Sequence, residues 1–213
     1  CDIVPERAEK TAEKFGCKDV LDYHDILKDE SVDAITVCTP NGTHEQIVVD
    51  GLKAGKNVFC EKPLSVNYEA CERILKIARE TGKLCDVGLC NRYRKAVLKV
   101  KQLIDSGRLG EIYHIYCSFR KHRNIPGLGG DFTTKAKSGG GVLIDWGVHL
   151  FDLILFCAGI TEVKTVSAAT HDKIGKDIKG YRYLEMWAGP PKYDGTFDVE
   201  DTVTGFIRTD GPS

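Results

Sequence analysis

The sequence predicts an α/β chain: a doubly wound parallel sheet, then a second domain built on a broader sheet. Three observations predict it. Apolar, β-branched runs alternate with helix-patterned segments across short links up to residue 92. Longer strand-patterned runs follow. Between them lies a stretch, 138–156, that is apolar nearly all round and reads as a helix inside the protein. The domains are expected at 1–92 and 93–213.

Taken in order, residues 1–3 read as the tail of a strand, and 5–15 as a helix with Pro5 in its first turn and Gly16 as its stop. Residues 34–39 have the pattern of a fully buried strand at the centre of a parallel sheet. The chain turns at 40–43, a helix over 44–54 closes at Gly55, and 57–60 is the next strand. Pro63 ends it, because proline cannot continue a central ladder. A helix over 68–81, capped by Asn67 and stopped by Gly82, leads to a strand over 84–89. The rhythm then changes to a helix over 95–106, a long strand over 112–120 and a glycine-containing loop over 121–137. The apolar helix follows, then strands over 162–169 and 202–208 separated by a polar stretch with no assignment.

Composition narrows the function classes. With 42% hydrophobic and 29% charged residues in 213, the chain is an ordinary globular protein able to bury a substantial core. Net charge is -1 and the basic residues are scattered, which argues against nucleic acid as a partner. No apolar run approaches the roughly eighteen residues of a membrane span. The nine cysteines are odd in number and show no C-x-x-C spacing, so Cys38, Cys60 and Cys85 read as reduced packing residues of a cytoplasmic protein. The chain opens on Cys1 and not Met, so it is silent on an export signal.

The chemistry concentrates in two places. In the apolar helix, Asp145, His149 and Asp152 fall at i, i+4 and i+7, one polar stripe on one face. Buried polar groups need partners, so the stripe is either an internal hydrogen-bond ladder or aimed at a cleft. A metal site is disfavoured because no second helix offers a matching His and carboxylate set. The other place is the carboxyl edge of the wound sheet, where ligands of such folds bind. There lie Asp2, then Thr39, Pro40, Asn41 and His44, then Glu61 and Lys62. Each is weak alone, since Asn41-Gly42 is also turn chemistry. Asp2, ending a second strand, would accept hydrogen bonds from adenosine ribose hydroxyls and repel a 2'-phosphate, which favours NAD over NADP. Its other reading is helix entry before Pro5.

Thr39-Pro40-Asn41-Gly42-Thr43-His44, Glu61-Lys62-Pro63, and Gly139-Gly140-Gly141 through Asp145, His149 and Asp152 together resemble the Gfo/Idh/MocA oxidoreductases, relatives of glucose-fructose oxidoreductase and inositol 2-dehydrogenase. The resemblance covers nearly the whole chain. It implies a Rossmann domain, a C-terminal domain with a large open mixed sheet, a nicotinamide cofactor at the seam (NAD, with NADP as the alternative) and a sugar or polyol substrate. It also implies homodimers or homotetramers formed through that sheet. It makes Lys62, Asp145 and His149 the catalytic set: His149 takes the hydroxyl proton, Asp145 orients it, and Lys62 stabilises developing alkoxide charge. Arg92 and Arg123 are candidate substrate contacts, with salt bridging as their plainer reading. Asp152 is structural. The departure is at the ends: no Gly-rich phosphate loop precedes Asp2, and the second sheet stops short, so the chain reads as an internal portion of a longer protein, not expected to hold cofactor tightly. Two other functions stay open. One is a redox-assisted glycosidase that recycles its NAD, and the other is a non-catalytic sugar or nucleotide sensor.

Overall fold

The computed structural model describes residues 1–160, 162–184 and 188–209. It divides into two compact units, the first comprising 1–39 and 43–87, the second 40–42 and 88–213.

The first unit is a parallel sheet with helices. Helix α1, Pro5–Phe15, starts with proline, where the missing N–H is harmless, and stops at Gly16 in the left-handed conformation. Helix α2, Tyr23–Lys28, capped by the Asp22 carboxylate on the His24 amide, is an element that the sequence reading missed. Tyr23 ties it to the next helix through a 2.7 Å bond to Asp50. Strands β1, Ala34–Val37, β2, Asn57–Cys60, and β3, Cys85–Val87, pair in parallel in that order, in register at Val37 with Cys60 and Val58 with Cys85. Helices α3, His44–Lys53, and α4, Tyr68–Thr81, pack together. The core is Val37, Val48, Leu52, Val58, Cys60 and Ile74. Asn67 caps α4 by accepting the Ala70 amide at 2.8 Å, and left-handed Gly82 ends it.

Two expectations are corrected here. Residues 1–3 are in no strand; their ladder is replaced by a single bond from the Asp2 amide to the Val20 carbonyl. Strand β1 lies at an edge of the described sheet, with Ala34 and Thr36 exposed, and it is β2 that is central.

The second unit is built on one long helical stretch. Helix α5, Lys95–Asp105, packs against helix α7, Val148–Ala158. Ahead of α7 come the short helix α6, Lys135–Ser138, and a π-helical turn, Leu143–Gly147. Strands β4, Val163–His171, and β5, Thr202–Thr209, form an antiparallel pair. The strand expected over 112–120 is irregular: the ladder of β4 pairs with β5, and no strand of the described residues takes this run as a partner. The polar stretch left unassigned lies against the glycine loop at 127–130, with the Lys192 amide on the Leu128 carbonyl and the Thr196 amide on that of Gly129. A Cβ at Gly129 would stand 1.9 Å from the Lys192 carbonyl oxygen, so only glycine admits this approach. Residues 210–213, where the second domain was expected to end, lie outside the described residues.

The apolar helix also departs from expectation. His149 and Asp152 are buried, whereas Phe151 and Leu155 are each 39% exposed. Packing has been decided by the polar stripe, because Asp152 needs its ion pair more than a leucine needs cover. The membrane reading is corrected too: Lys135–Ala158 is long and apolar enough, by length and composition, to cross a bilayer.

Candidate functional site

In the first unit, the carboxyl ends of β1 and β2 set out Thr39 and then Glu61, Lys62 and Pro63 along one sheet edge. The ladder extends one bond past the strands, from the Glu61 amide to the Val37 carbonyl, and so fixes where Lys62 begins. Glu61 accepts the Lys62 amide, Lys62 itself is half-buried, and the Lys62–Pro63 peptide is cis. The Thr39 hydroxyl meets that of Thr43 at 2.8 Å.

Several residues expected to hold cofactor are occupied by the fold. His44 is 1% exposed, with Nδ1 at 2.7 Å from the Pro63 carbonyl and Nε2 at 2.8 Å from the Thr39 carbonyl. It is a clamp on backbone, which corrects its reading as a cofactor ligand. Asp2 accepts the Val4 amide at 2.9 Å and so serves the entry to α1. In the second unit, Asn41 donates its side-chain amide to the Ser138 carbonyl at 3.0 Å, and exposed Pro40 precedes it. Burial, and after it the charge of Glu61, pushes the Cys38 thiol up; burial drives that of Cys60 to about 12.

In the second unit Asp145 lies in the π-helical turn and His149 in the first turn of α7. Such turns recur at functional sites because they displace one residue from the regular ladder. His149 is 9% exposed and its ring sits 5.6 Å from that of Trp146, which stacks on Phe119 at 3.7 Å. The ammonium of Lys121 stands 5.3 Å from the Trp146 ring. Asp152 is held by Arg92, whose Nε reaches both carboxylate oxygens at 2.9 and 2.8 Å and whose terminal nitrogen closes the fork. Arg92 therefore anchors the helix, as its salt-bridging reading has it. Arg123, with a positive φ of 49°, is exposed and lies over the Tyr181 ring.

Sequence reasoning missed the group that fixes the start of this helical stretch. Glu200 accepts the Gly141 amide at 2.9 Å and the Leu143 amide at 3.0 Å, while its own carbonyl accepts the Val142 amide. Its neighbours do the same elsewhere: Asp198 takes the Lys135 amide, and Asp201 those of Ile174 and Gly175. Carboxylates placed around a buried Val199 were the available signal.

The structure thus gathers Thr39, His44, Glu61 and Lys62 on one edge of the first unit, and Asp145, His149 and Asp152 along one helical stretch of the second, with Arg92 reaching Asp152 from the turn Cys90–Tyr93. Among the described residues no cluster of three or more His, Cys, Asp or Glu side chains is arranged to hold a metal ion. A dinucleotide fits the first unit: three parallel strands bring their carboxyl ends to one edge, and the exposed Thr39 and half-buried Lys62 lie there.

Residues 1–89 match the family described as an oxidoreductase family with an NAD-binding Rossmann fold, GFO_IDH_MocA, and residues 97–212 match the GFO/IDH/MocA C-terminal domain. The chain is 32% identical over 209 residues to D-glucoside 3-dehydrogenase of Escherichia coli K12, spanning 98% of this chain and 58% of that protein. It is 38% identical over 114 residues to inositol 2-dehydrogenase of Salmonella typhimurium, 52% of this chain and 34% of that protein. A solved NAD-binding protein from Listeria innocua superposes with a TM-score of 0.81 at 31% identity, covering 100% of this chain and 54% of that one. Levoglucosan dehydrogenase in complex with NADH and levoglucosan shares the fold, with a TM-score of 0.77 at 23% identity and coverage of 98% of this chain and 54% of that one. The chain spans about half the length of these proteins.

Proposed function

The chain belongs to the Gfo/Idh/MocA oxidoreductase family, whose N-terminal domain is an NAD-binding Rossmann fold, and from that premise we propose that its protein oxidises a secondary hydroxyl of a sugar or polyol. NAD, when bound, accepts the hydride. The chain's residues do the rest. His149 takes the hydroxyl proton, a task suited to imidazole near neutral pH. Asp145, one turn earlier, orients the imidazole or a neighbouring hydroxyl. Lys62 donates a hydrogen bond to the reacting oxygen and offsets the negative charge that grows there. Thr39 and Pro40 border the dinucleotide.

The observation that carries this reading is a buried histidine one turn after an aspartate, on a helix held by the Arg92–Asp152 fork. Substrates named for the relatives, a glucoside and inositol, support the hydroxyl class. Nine free cysteines support the cytoplasm, and the exposed Val166 and Phe206 of the antiparallel pair support assembly of copies through that sheet.

The test uses the full-length protein, following reduced nicotinamide by absorbance across a panel of glucosides and inositols. We expect turnover, and a fall in kcat of roughly a hundredfold or more for His149→Ala. Unchanged turnover in that variant would refute the assignment. Release of free sugar without net reduction of NAD would favour the redox-assisted glycosidase.

A further inference from the structure

His44 is nearly closed off from solvent, at 1% exposure, and both of its ring nitrogens meet carbonyl oxygens: Nδ1 to Pro63 at 2.7 Å and Nε2 to Thr39 at 2.8 Å. A carbonyl oxygen only accepts. A neutral imidazole has one N–H and one lone pair, so in either tautomer one contact would set two lone pairs against each other. Only the imidazolium donates to both. We infer that His44 is held as a buried imidazolium that staples the end of β1 to the Lys62–Pro63 turn, making it the positioning residue for Lys62. The second part of this inference rests on the function proposed above; the protonation state does not.

The surroundings are consistent with a cation held by hydrogen bonds more than by one partner charge. His44 opens α3, where the helix dipole opposes positive charge. Two carbonyl oxygens offset this by taking both N–H groups. The titratable and charged groups on the adjoining elements include Cys38 after β1, Cys60 at the end of β2 with Glu61 and Lys62 beyond it, Glu45, Asp50 and Lys53 on α3, and Glu69, Cys71, Glu72 and Arg73 on α4. Glu45 is already paired with Arg73 through Nε at 2.5 Å. At this end of the strand Cys38 feels the negative charge of Glu61.

The geometric consequence falls on Lys62. Its carboxyl neighbour is gripped by His44, and its own amide by the Glu61 carboxylate. Two consecutive residues thus each have a backbone group held by a side chain, and the lysine side chain leaves from that held backbone. Lost positioning of a group at a reacting atom costs roughly tenfold to a hundredfold in rate.

The experiment is histidine 15N NMR on the full-length protein at neutral pH, with His44 assigned by the signal lost in His44→Gln. We expect one ring whose two nitrogens both carry protons in slow exchange with water. A ring with one unprotonated nitrogen at that position overturns the inference. For the positioning role, His44→Gln should lower kcat by roughly ten- to a hundredfold while KM for substrate stays within about twofold. An unchanged kcat in folded variant overturns that role. Should the variant not fold, through-bond assignment of the unsubstituted protein still decides the protonation state. Absence of turnover altogether would fail the proposed function and leave the imidazolium to be judged by NMR alone.

Discussion

Replacing Gly141 by alanine puts a methyl group 1.9 Å from the Glu200 carbonyl oxygen, 2.9 Å from its carbon and 3.0 Å from its nitrogen. All three are backbone atoms, so no rotamer relieves the clash, and the two segments must part by more than an ångström. That separation breaks the bond from the Val142 amide to the Glu200 carbonyl and the two from Gly141 and Leu143 to its carboxylate. A neutral bond contributes about 1 kcal/mol and one to a charged acceptor about 1.5–3 kcal/mol. Alanine returns up to about 1 kcal/mol by restricting the unfolded chain. The expected loss is therefore about 3–6 kcal/mol, a large share of the roughly 5–15 kcal/mol that holds a domain folded. Urea unfolding followed by circular dichroism reads the loss, and hydrogen exchange places it at 143–158. Glu200→Gln, which keeps the acceptor and removes its charge, should lose only about 1 kcal/mol. A Gly141→Ala protein within about 1 kcal/mol of the unsubstituted one, with those amides still protected, would refute the reasoning.

Other outcomes follow from the same contacts. Arg92→Leu leaves the Asp152 carboxylate buried without its fork and should destabilise the protein by roughly 3–5 kcal/mol, whereas Asp152→Asn with Arg92 intact should lose less; equal losses in urea would contradict an anchoring pair. Cys60, with its thiol driven to about 12 by burial, should resist iodoacetamide at mildly alkaline pH while exposed Cys17 and Cys117 are alkylated, as mass spectrometry would detect. The same thiol holds its proton in the folded chain after the unfolded chain has released it. Its contribution to stability is therefore level below the ordinary thiol range and falls as pH climbs from there toward about 12, a slope that Cys60→Ala should flatten in unfolding at alkaline pH. Tyr23→Phe removes the 2.7 Å bond to Asp50 and should loosen α2 by roughly 1 kcal/mol, read as faster amide exchange there.

Much of the first unit was legible because its signals are local. Pro5 with Gly16, Asn67 with Gly82, and the run Asn57-Val58-Phe59-Cys60 each carry their own punctuation, and the elements begin and end where those residues put them. What escaped depends on partners distant in the chain. Helix α2 is too short to show a period and is held by Asp22 and by Asp50 of another helix. The run 112–120 has strand composition, but composition cannot supply a neighbour. The stripe of Asp145, His149 and Asp152 was visible as a pattern; that burial would follow the charged side, with Phe151 left outside, was set by Arg92 sixty residues away. For His44, a turn motif names the residue and not the carbonyls it will grip.

The acidic run that ties down the second unit has a bearing on how the chain is made. Asp198 and Glu200 reach back across 63, 59 and 57 positions to the amides they satisfy. A ribosome therefore delivers the most apolar helix of the molecule well before the carboxylates that fasten its leading turn have left the exit tunnel. During that interval the Gly141 and Leu143 amides wait without the Glu200 carboxylate that satisfies them in the folded chain.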